Sequence, residues 1–236
     1  MKPIAIFRHS PGEGPGYFAT FLDRHSLPWT MFRVDDGILP PTAPDEFSGL
    51  CFMGGPMSVN DDLPWLPLTL DLIRKADDRG IPVIGHCLGG QLMAKAFGST
   101  VTRNPVKEIG WGEVTAINEA TLLADEWLGS TRHFEAFHWH SETFDLPQGA
   151  THILQSAHCA NQAFVRGLHL GMQCHVEMTD TMIRNWCQQW ASEGVPPSPS
   201  VQTPEQMQTD MDTRITAMRA VADRLYSRWI KGLFSP

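Results

Sequence analysis

PVIGHCLGGQLMAKAFG, residues 82–98, sets a cysteine between glycines at the point where one pattern stops and another begins. Pro82 to His86 form a short apolar run of strand length. From Leu88 onward, Leu88, Leu92, Met93, Ala96 and Phe97 recur at helical spacing, and Gly98 supplies the stop. Cys87 therefore falls on the sharp turn between a strand and a helix. On such a turn the side chain is pushed above the sheet, and the backbone N–H groups that follow point to the same place. The glycines of the pattern Gly85-x-Cys87-x-Gly89-x-Gln91 keep Cβ atoms from colliding with neighbouring strands or with a substrate. A helix N-terminus also favours a thiolate, because the macrodipole is positive there. A buried cysteine in a tight turn gives the same pattern, so the turn alone does not decide the chemistry.

Upstream, strand and helix signals alternate. Apolar runs at 3–8, 28–34 and 49–54 read as strands, with a helical stretch near Tyr17 to Arg24 and another from Leu66 to Asp78, where Leu66, Leu70 and Ile73 share a face. Alternating βα units imply a mainly parallel sheet covered by helices on both faces, an α/β three-layer sandwich. Segments 111–117, 134–144, 151–156 and 161–175 are strand-like with little helix between them and predict an antiparallel edge. Helical spacing returns at Met182, Ile183, Trp186, Cys187 and Trp190. A Pro/Ser-rich loop, 192–200, then leads into a helix over 203–230, with Thr203 as cap and Gln206 closing a capping box. Its stripe of Met207, Met211, Ile215, Met218, Val221, Leu225 and Trp229 reads as core or as a contact with a second copy of the chain.

Composition narrows the classes. The chain has 236 residues, 42% hydrophobic and 19% charged, enough for one large domain or two small ones. A net charge of -8 without a Lys/Arg cluster argues against nucleic acid or an anionic membrane as the main partner. The apolar run of the first residues is too short for a signal peptide, and no stretch approaches a membrane span. Five cysteines without CxxC spacing read as free thiols in a reducing compartment, so a cytoplasmic protein is expected.

A nucleophilic thiol needs a base, and the base needs a group that fixes its tautomer. His175-Val176-Glu177, read as a strand end, offers both on one side of the chain. Gly54-Gly55-Pro56, after the third strand, is a turn able to present an unobstructed backbone N–H to a developing oxyanion. His138 and His140, with His133 nearby, have the spacing by which a strand offers two metal ligands to one side. No Cys or carboxylate set completes such a site at recognisable spacing, so neither metal nor organic cofactor is expected.

The order GGP, GxCxGxQ, HxE resembles the class I (triad) glutamine amidotransferases over roughly residues 1–190. The resemblance implies a flavodoxin-like amidotransferase domain over 1–191, with 192–236 packed on it. It implies that Cys87 attacks the side-chain amide of glutamine, giving a γ-glutamyl thioester and ammonia. His175 would then be base and acid, oriented by Glu177, and the backbone N–H groups of Gly55 and Leu88 would form the oxyanion hole. Gln91 and Met57 fall where the family contacts glutamine. The segment 137–144 resembles its His-Gly-Asp type loop, which would bring Ser141 and Glu142 to the substrate.

The chain departs from the family pattern at three places. His86 replaces a hydrophobic residue before the nucleophile, Cys174 and Val176 replace Phe and Pro around the histidine, and residues 201–236 are too few for a synthase domain. The likeness is therefore to the stand-alone, GMP-synthase-like members, a subgroup that includes γ-glutamyl peptidases. The substrate expected is glutamine or a γ-glutamyl compound, and the protein partner would be a separate synthase that accepts ammonia. Two other readings are weighed. An α/β-hydrolase would place its acid and histidine on separate loops, and a catalytically idle binding module would have lost a triad residue.

Overall fold

Side chains along the first strand alternate between two cores: Ile4 and Ile6 enter one cluster, Ala5 and Phe7 the other. Both faces of that strand are thus buried, as a parallel sheet between helical layers requires. The structure, a computed structural model, describes residues 1–117, 121–193 and 195–234. Gly194, in the Pro/Ser loop, lies outside the described residues.

In chain order the elements are β1 (Ile4–Arg8), α1 (Gly16–Arg24), β2 (Trp29–Arg33), β3 (Gly49–Phe52), α2 (Leu66–Asp78), β4 (Val83–His86) and α3 (Leu88–Ala96). There follow β5 (Val101–Ala116), α4 (Thr121–Leu128), β6 (His133–Phe144), β7 (Thr151–Ser156), β8 (Ala163–Arg166) and β9 (His169–Met172). The chain ends with α5 (Asp180–Glu193), α6 (Pro204–Gln208) and α7 (Met211–Ile230). The nine strands form one sheet in the order β2-β1-β3-β4-β9-β8-β7-β5-β6. Pairings from β2 to β9 are parallel and the remainder antiparallel, which is the predicted parallel sheet with an antiparallel edge.

The cores sit on opposite faces. Helices α2 and α3 cover one, through Leu72, Ile73, Leu92 and Met93, while α1, α5 and α7 cover the other. The apolar stripe of 203–230 is buried against the chain's own core, with Met207, Met218 and Leu225 at 0% exposure. Its helix is not continuous. Thr203 and Gln206 make the predicted capping box, but α6 stops at Gln208, and Asp210, at φ 52°, turns the chain before α7 begins. Two further differences concern the middle of the chain. β5 begins ten residues before the predicted strand at 111, and the helix α4 falls in a region read as strands with little helix between them. The topology matters for function because the loops after β1 and β3 and the turn after β4 all leave the C-terminal edge of adjacent parallel strands. That edge is where open α/β sheets place their ligands.

Candidate active site

Cys87 sits on the turn between β4 and α3 with φ 50° and ψ −108°, a conformation that non-glycine residues rarely adopt. Its N–H donates to the Met172 carbonyl of β9 at 2.8 Å, which pins the turn to the neighbouring strand. Glycine at 85 and 89 is a steric necessity here. A Cβ on Gly85 would strike the backbone of Gly89, and one on Gly89 would strike the Phe52 carbonyl of β3. The first turn of α3 therefore comes down onto the sheet, and the thiol is held above it. The sulfur lies 3.5 Å from Gln173 Nε2 and 3.8 Å from the Trp139 carbonyl.

His175 and Glu177 lie beyond β9, which ends at Met172, rather than on the strand itself. They are anchored instead by β6: His175 N donates to the Phe137 carbonyl at 2.8 Å, and Phe137 N donates back at 3.1 Å. His175 Nδ1 is 2.7 Å from Glu177 Oε1, and both side chains are buried. A carboxylate only accepts, so Nδ1 carries the proton and Nε2 is left for chemistry. Burial alone would push both groups toward their neutral forms. The pair overrides it: His175 holds the Glu177 carboxyl down at about 2. His175 is held well above its ordinary value by Glu177 and by the Cys87 sulfur, against its own burial.

The second oxygen of Glu177 has a different environment. Oε2 makes no hydrogen bond among the described residues, and His86 Nε2 stands 3.9 Å away. The same His86 nitrogen lies 3.1 Å from the Tyr226 hydroxyl of α7. Burial lowers the His86 pKa, with Glu177 opposing. The unusual residue before the nucleophile thus sits behind the carboxylate, with the C-terminal helix behind it.

In front of Cys87 opens a cavity of about 300 Å³, lined among others by Gly55, Met57, Gln91, Lys107, Trp139, Ser141 and Glu142. Every side chain that the sequence assigned to substrate contact meets there, and Leu88 follows Cys87 as the first residue of α3. The Gly55 N–H donates to no backbone carbonyl among the described residues. Gln91 Nε2 is 3.1 Å from Gln173 Oε1, and Ser58 Oγ donates to Glu142 Oε1 at 3.1 Å, which ties the loop after β3 to β6. The stretch 137–144, which resembles the family's loop segment, belongs to β6, the strand read at 134–144, and pairs with β5.

This arrangement can perform acyl transfer through a thiol, and its sequence matches a known family. The family model described as glutamine amidotransferase class-I matches residues 24–186. The chain belongs to the class-I glutamine amidotransferases. It is similar to the glutamine amidotransferase-like protein YfeJ of Salmonella typhimurium, 33% identical over 72% of this chain and 74% of that one. Gamma-glutamyl peptidase 4 of Arabidopsis thaliana is 28% identical over 59% of this chain and 57% of its own length. The glutamine-hydrolysing GMP synthase of Vibrio vulnificus is 28% identical over 75% of this chain, which spans only 38% of that enzyme. Among solved structures, a glutamine amidotransferase from Methylobacillus flagellatus superposes with a TM-score of 0.96 at 46% identity, covering 100% of this chain and 97% of that one.

Within this amidotransferase fold, sequence reading missed several groups at the site. Trp139 of β6 brings its carbonyl to 3.8 Å from the Cys87 sulfur and packs its ring edge-on against Trp186 and Trp190. Gln173 and Tyr226 were not singled out, and His86 was noted only as a departure. Glu13, in the loop after β1, packs its carboxyl onto Gly54, where an added Cβ would collide with it and would lie 3.2 Å from His175 Cε1. Burial pushes the Glu13 pKa up to about 7, with His175 opposing and Glu177 adding to the rise. Its one signal in the sequence is an acid set among glycines and prolines directly after the first strand, in HSPGEGPG.

The two histidines of HWH part company with Trp139. His140 Nε2 is 2.9 Å from Glu108 Oε2, and Cys159 Sγ completes a trio whose potential ligand atoms lie within 4.8 Å of one another. These atoms have protein partners already. Glu108 also accepts from Ser156 Oγ and Gln162 Nε2, both at 2.7 Å, and Cys159 Sγ is 3.2 Å from Thr143 Oγ1. The trio acts as a buried hydrogen-bond network that holds β5, β6 and the 156–162 turn together.

Proposed function

We propose that the protein hydrolyses the side-chain amide of glutamine through a γ-glutamyl thioester on Cys87. The observation that carries this reading is the juxtaposition of a strained elbow cysteine, a buried His175–Glu177 ion pair and a polar cavity at one sheet edge. The Cys87 thiol passes its proton to His175 Nε2 and its sulfur attacks the amide carbon, and negative charge develops on the oxygen, toward the Gly55 and Leu88 N–H groups. His175 Nε2 gives its proton to the amide nitrogen, the C–N bond breaks and ammonia leaves. Water then attacks the thioester while His175 takes its proton, the C–S bond breaks, and glutamate and the original thiol–imidazole pair are regenerated. Glutamine and water become glutamate and ammonia. The buried carboxylate of Glu177 keeps His175 in the required tautomer throughout.

A second reading, hydrolysis of γ-glutamyl peptides by the same residues, is supported by the Arabidopsis relative named as a peptidase. Ammonia delivery to a separate synthase is supported by a relative in Sulfolobus acidocaldarius, named as one of the subunits of a glutamine-hydrolysing GMP synthase and 31% identical over 58% of this chain. The test is ammonia release from glutamine by the purified protein, with kcat/KM compared against γ-glutamyl dipeptides. A glutamine preference supports the amidotransferase. A dipeptide preference of about a hundredfold, ~2.7 kcal/mol of transition-state discrimination, supports the peptidase.

A further inference from the structure

A second, smaller cavity of about 120 Å³ adjoins the first and shares Gly55, Pro56 and Trp139 with it. Its remaining wall is formed by Ser10, Gly12, Glu13, Trp186 and Gln189. The two spaces divide the site. The larger holds Cys87, Gln91, Ser141 and Glu142, and the smaller has as one wall Trp186, whose ring packs edge-on to the imidazole of His175 at 5.1 Å between centroids.

A departing amine must stand within hydrogen-bond reach of His175 Nε2, since Nδ1 is committed to Glu177. His175 Nε2 has no hydrogen-bond partner among the described residues. The ring carbon next to that nitrogen, Cε1, and the carboxyl of Glu13 both crowd the bare Cα of Gly54. The carboxyl is therefore held close to the imidazole that must protonate the departing amine. Its loop is rigidly held: Trp186 Nε1 donates to the Gly12 carbonyl at 2.9 Å, and Glu13 N donates to the Ser10 carbonyl at 3.0 Å. No Lys, Arg or His forms an ion pair with Glu13 among the described residues. The charged groups that bear on it are the His175 imidazolium and, as a second negative charge, Glu177.

We propose that this cavity is a leaving-group subsite in which Glu13 favours small cationic and neutral amines and rejects those that carry a carboxylate. The inference rests on the γ-glutamyl thioester reading of Cys87 and sharpens it. The substrates are γ-glutamyl amides of ammonia or a small amine, and not γ-glutamyl amino acids. Size agrees with charge. At ~30 Å³ for a water in the liquid, the cavity accommodates a leaving group of only a few heavy atoms. A carboxylate on such a group would be brought next to the like charge of Glu13 in a cavity with no Lys or Arg in its lining among the described residues, whereas an ammonium would find its counter-charge there.

The test uses three substrates that share the γ-glutamyl half and differ in the leaving amine: ethylenediamine (cationic), propylamine (neutral) and glycine (anionic). At pH 8.5 the intact protein is expected to give kcat/KM in the order cationic, neutral, anionic, with about tenfold or more between the extremes. Glu13→Gln is expected to shrink that span at least about fivefold by removing the charge while keeping the shape. Should Glu13→Gln fail to fold, the order in the unaltered protein remains decisive. Equal rates for the three substrates, a preference for the glycine amide, or a span unchanged in a folded Glu13→Gln protein would overturn the inference while leaving the thioester chemistry standing. No turnover of glutamine or of any of the three would overturn the reading of the site and the inference with it.

Discussion

Tyr226→Phe removes one oxygen from the helix that backs the site and leaves its ring in place. The Tyr226 ring is fully buried, 4.8 Å from Phe18 and 5.4 Å from Phe21 between centroids, so the packing of α7 on α1 survives the change. What disappears is the hydroxyl 3.1 Å from His86 Nε2. His86 has no solvent exposure, and the nearest charged oxygen, Glu177 Oε2, stands 3.9 Å away, too far to replace the bond. An unpaired buried polar group costs ~1–3 kcal/mol. For a chain of this size that corresponds to a fall in melting temperature of ~2–12 °C. Activity should respond differently. The His175–Glu177 contact and the anchoring of His175 to Phe137 do not involve Tyr226. kcat/KM for glutamine is therefore expected to fall less than about tenfold. Urea unfolding, with the slope checked for constancy, and ammonia release measure the two quantities. Stability unchanged within ~0.5 kcal/mol would refute the bond's structural role. A loss of activity as deep as that of a nucleophile mutant would refute the separation of support from chemistry.

Other expectations follow from the same geometry. His175→Ala should lose nearly as much turnover as Cys87→Ala, because the two act as a unit, whereas Glu177→Gln should lose less, since its carboxylate orients the ring without reacting; rates of ammonia release rank the three. Glu13 also leaves a signature in stability. It holds its proton up to about 7 in the folded protein against an ordinary 4.5. Between those values the folded state binds more protons than the unfolded one, and this group's contribution falls as pH rises through the window. His9 and His138, lowered to about 4 by burial, contribute with the opposite sign there. The difference between the unaltered protein and Glu13→Gln isolates Glu13. Melting curves at pH 4.5 and 7.5 should show the variant gaining relative stability at the higher value, and a pH-independent difference would contradict the assigned environment.

How far the sequence exposed this site depends on whether a feature is local. The helix Leu66–Asp78 and the β4–Cys87–α3 turn were legible because periodicity and glycine placement act within a few residues. Met57, Gln91, Ser141 and Glu142 of the larger cavity were named through the family resemblance, whereas Lys107 and Trp139 beside them were not. The break between α6 and α7 was not, since Asp210 carries the left-handed turn that a glycine would have advertised. Nor was the place of His175, where a bridge to Phe137 replaces the expected strand end. The pairing of His86 with Tyr226 spans 140 positions, and Glu13 reaches His175 only because two strand-end loops converge. Hydrophobic patterning records which face is buried, and it carries no record of which polar groups meet across the fold.

The central claim is that Cys87, among five free cysteines that are all buried, is the nucleophile toward a γ-glutamyl carbonyl. Burial pushes the thiols of Cys51, Cys159, Cys174 and Cys187 up, away from reactivity. The most direct measurement is peptide mapping after treatment with a glutamine-mimicking electrophile, with glutamine present or absent. The account predicts a single adduct on the peptide containing Cys87, suppressed by glutamine, and no ammonia release by Cys87→Ala. An adduct on Cys51, Cys159, Cys174 or Cys187, or undiminished turnover in Cys87→Ala, would contradict it.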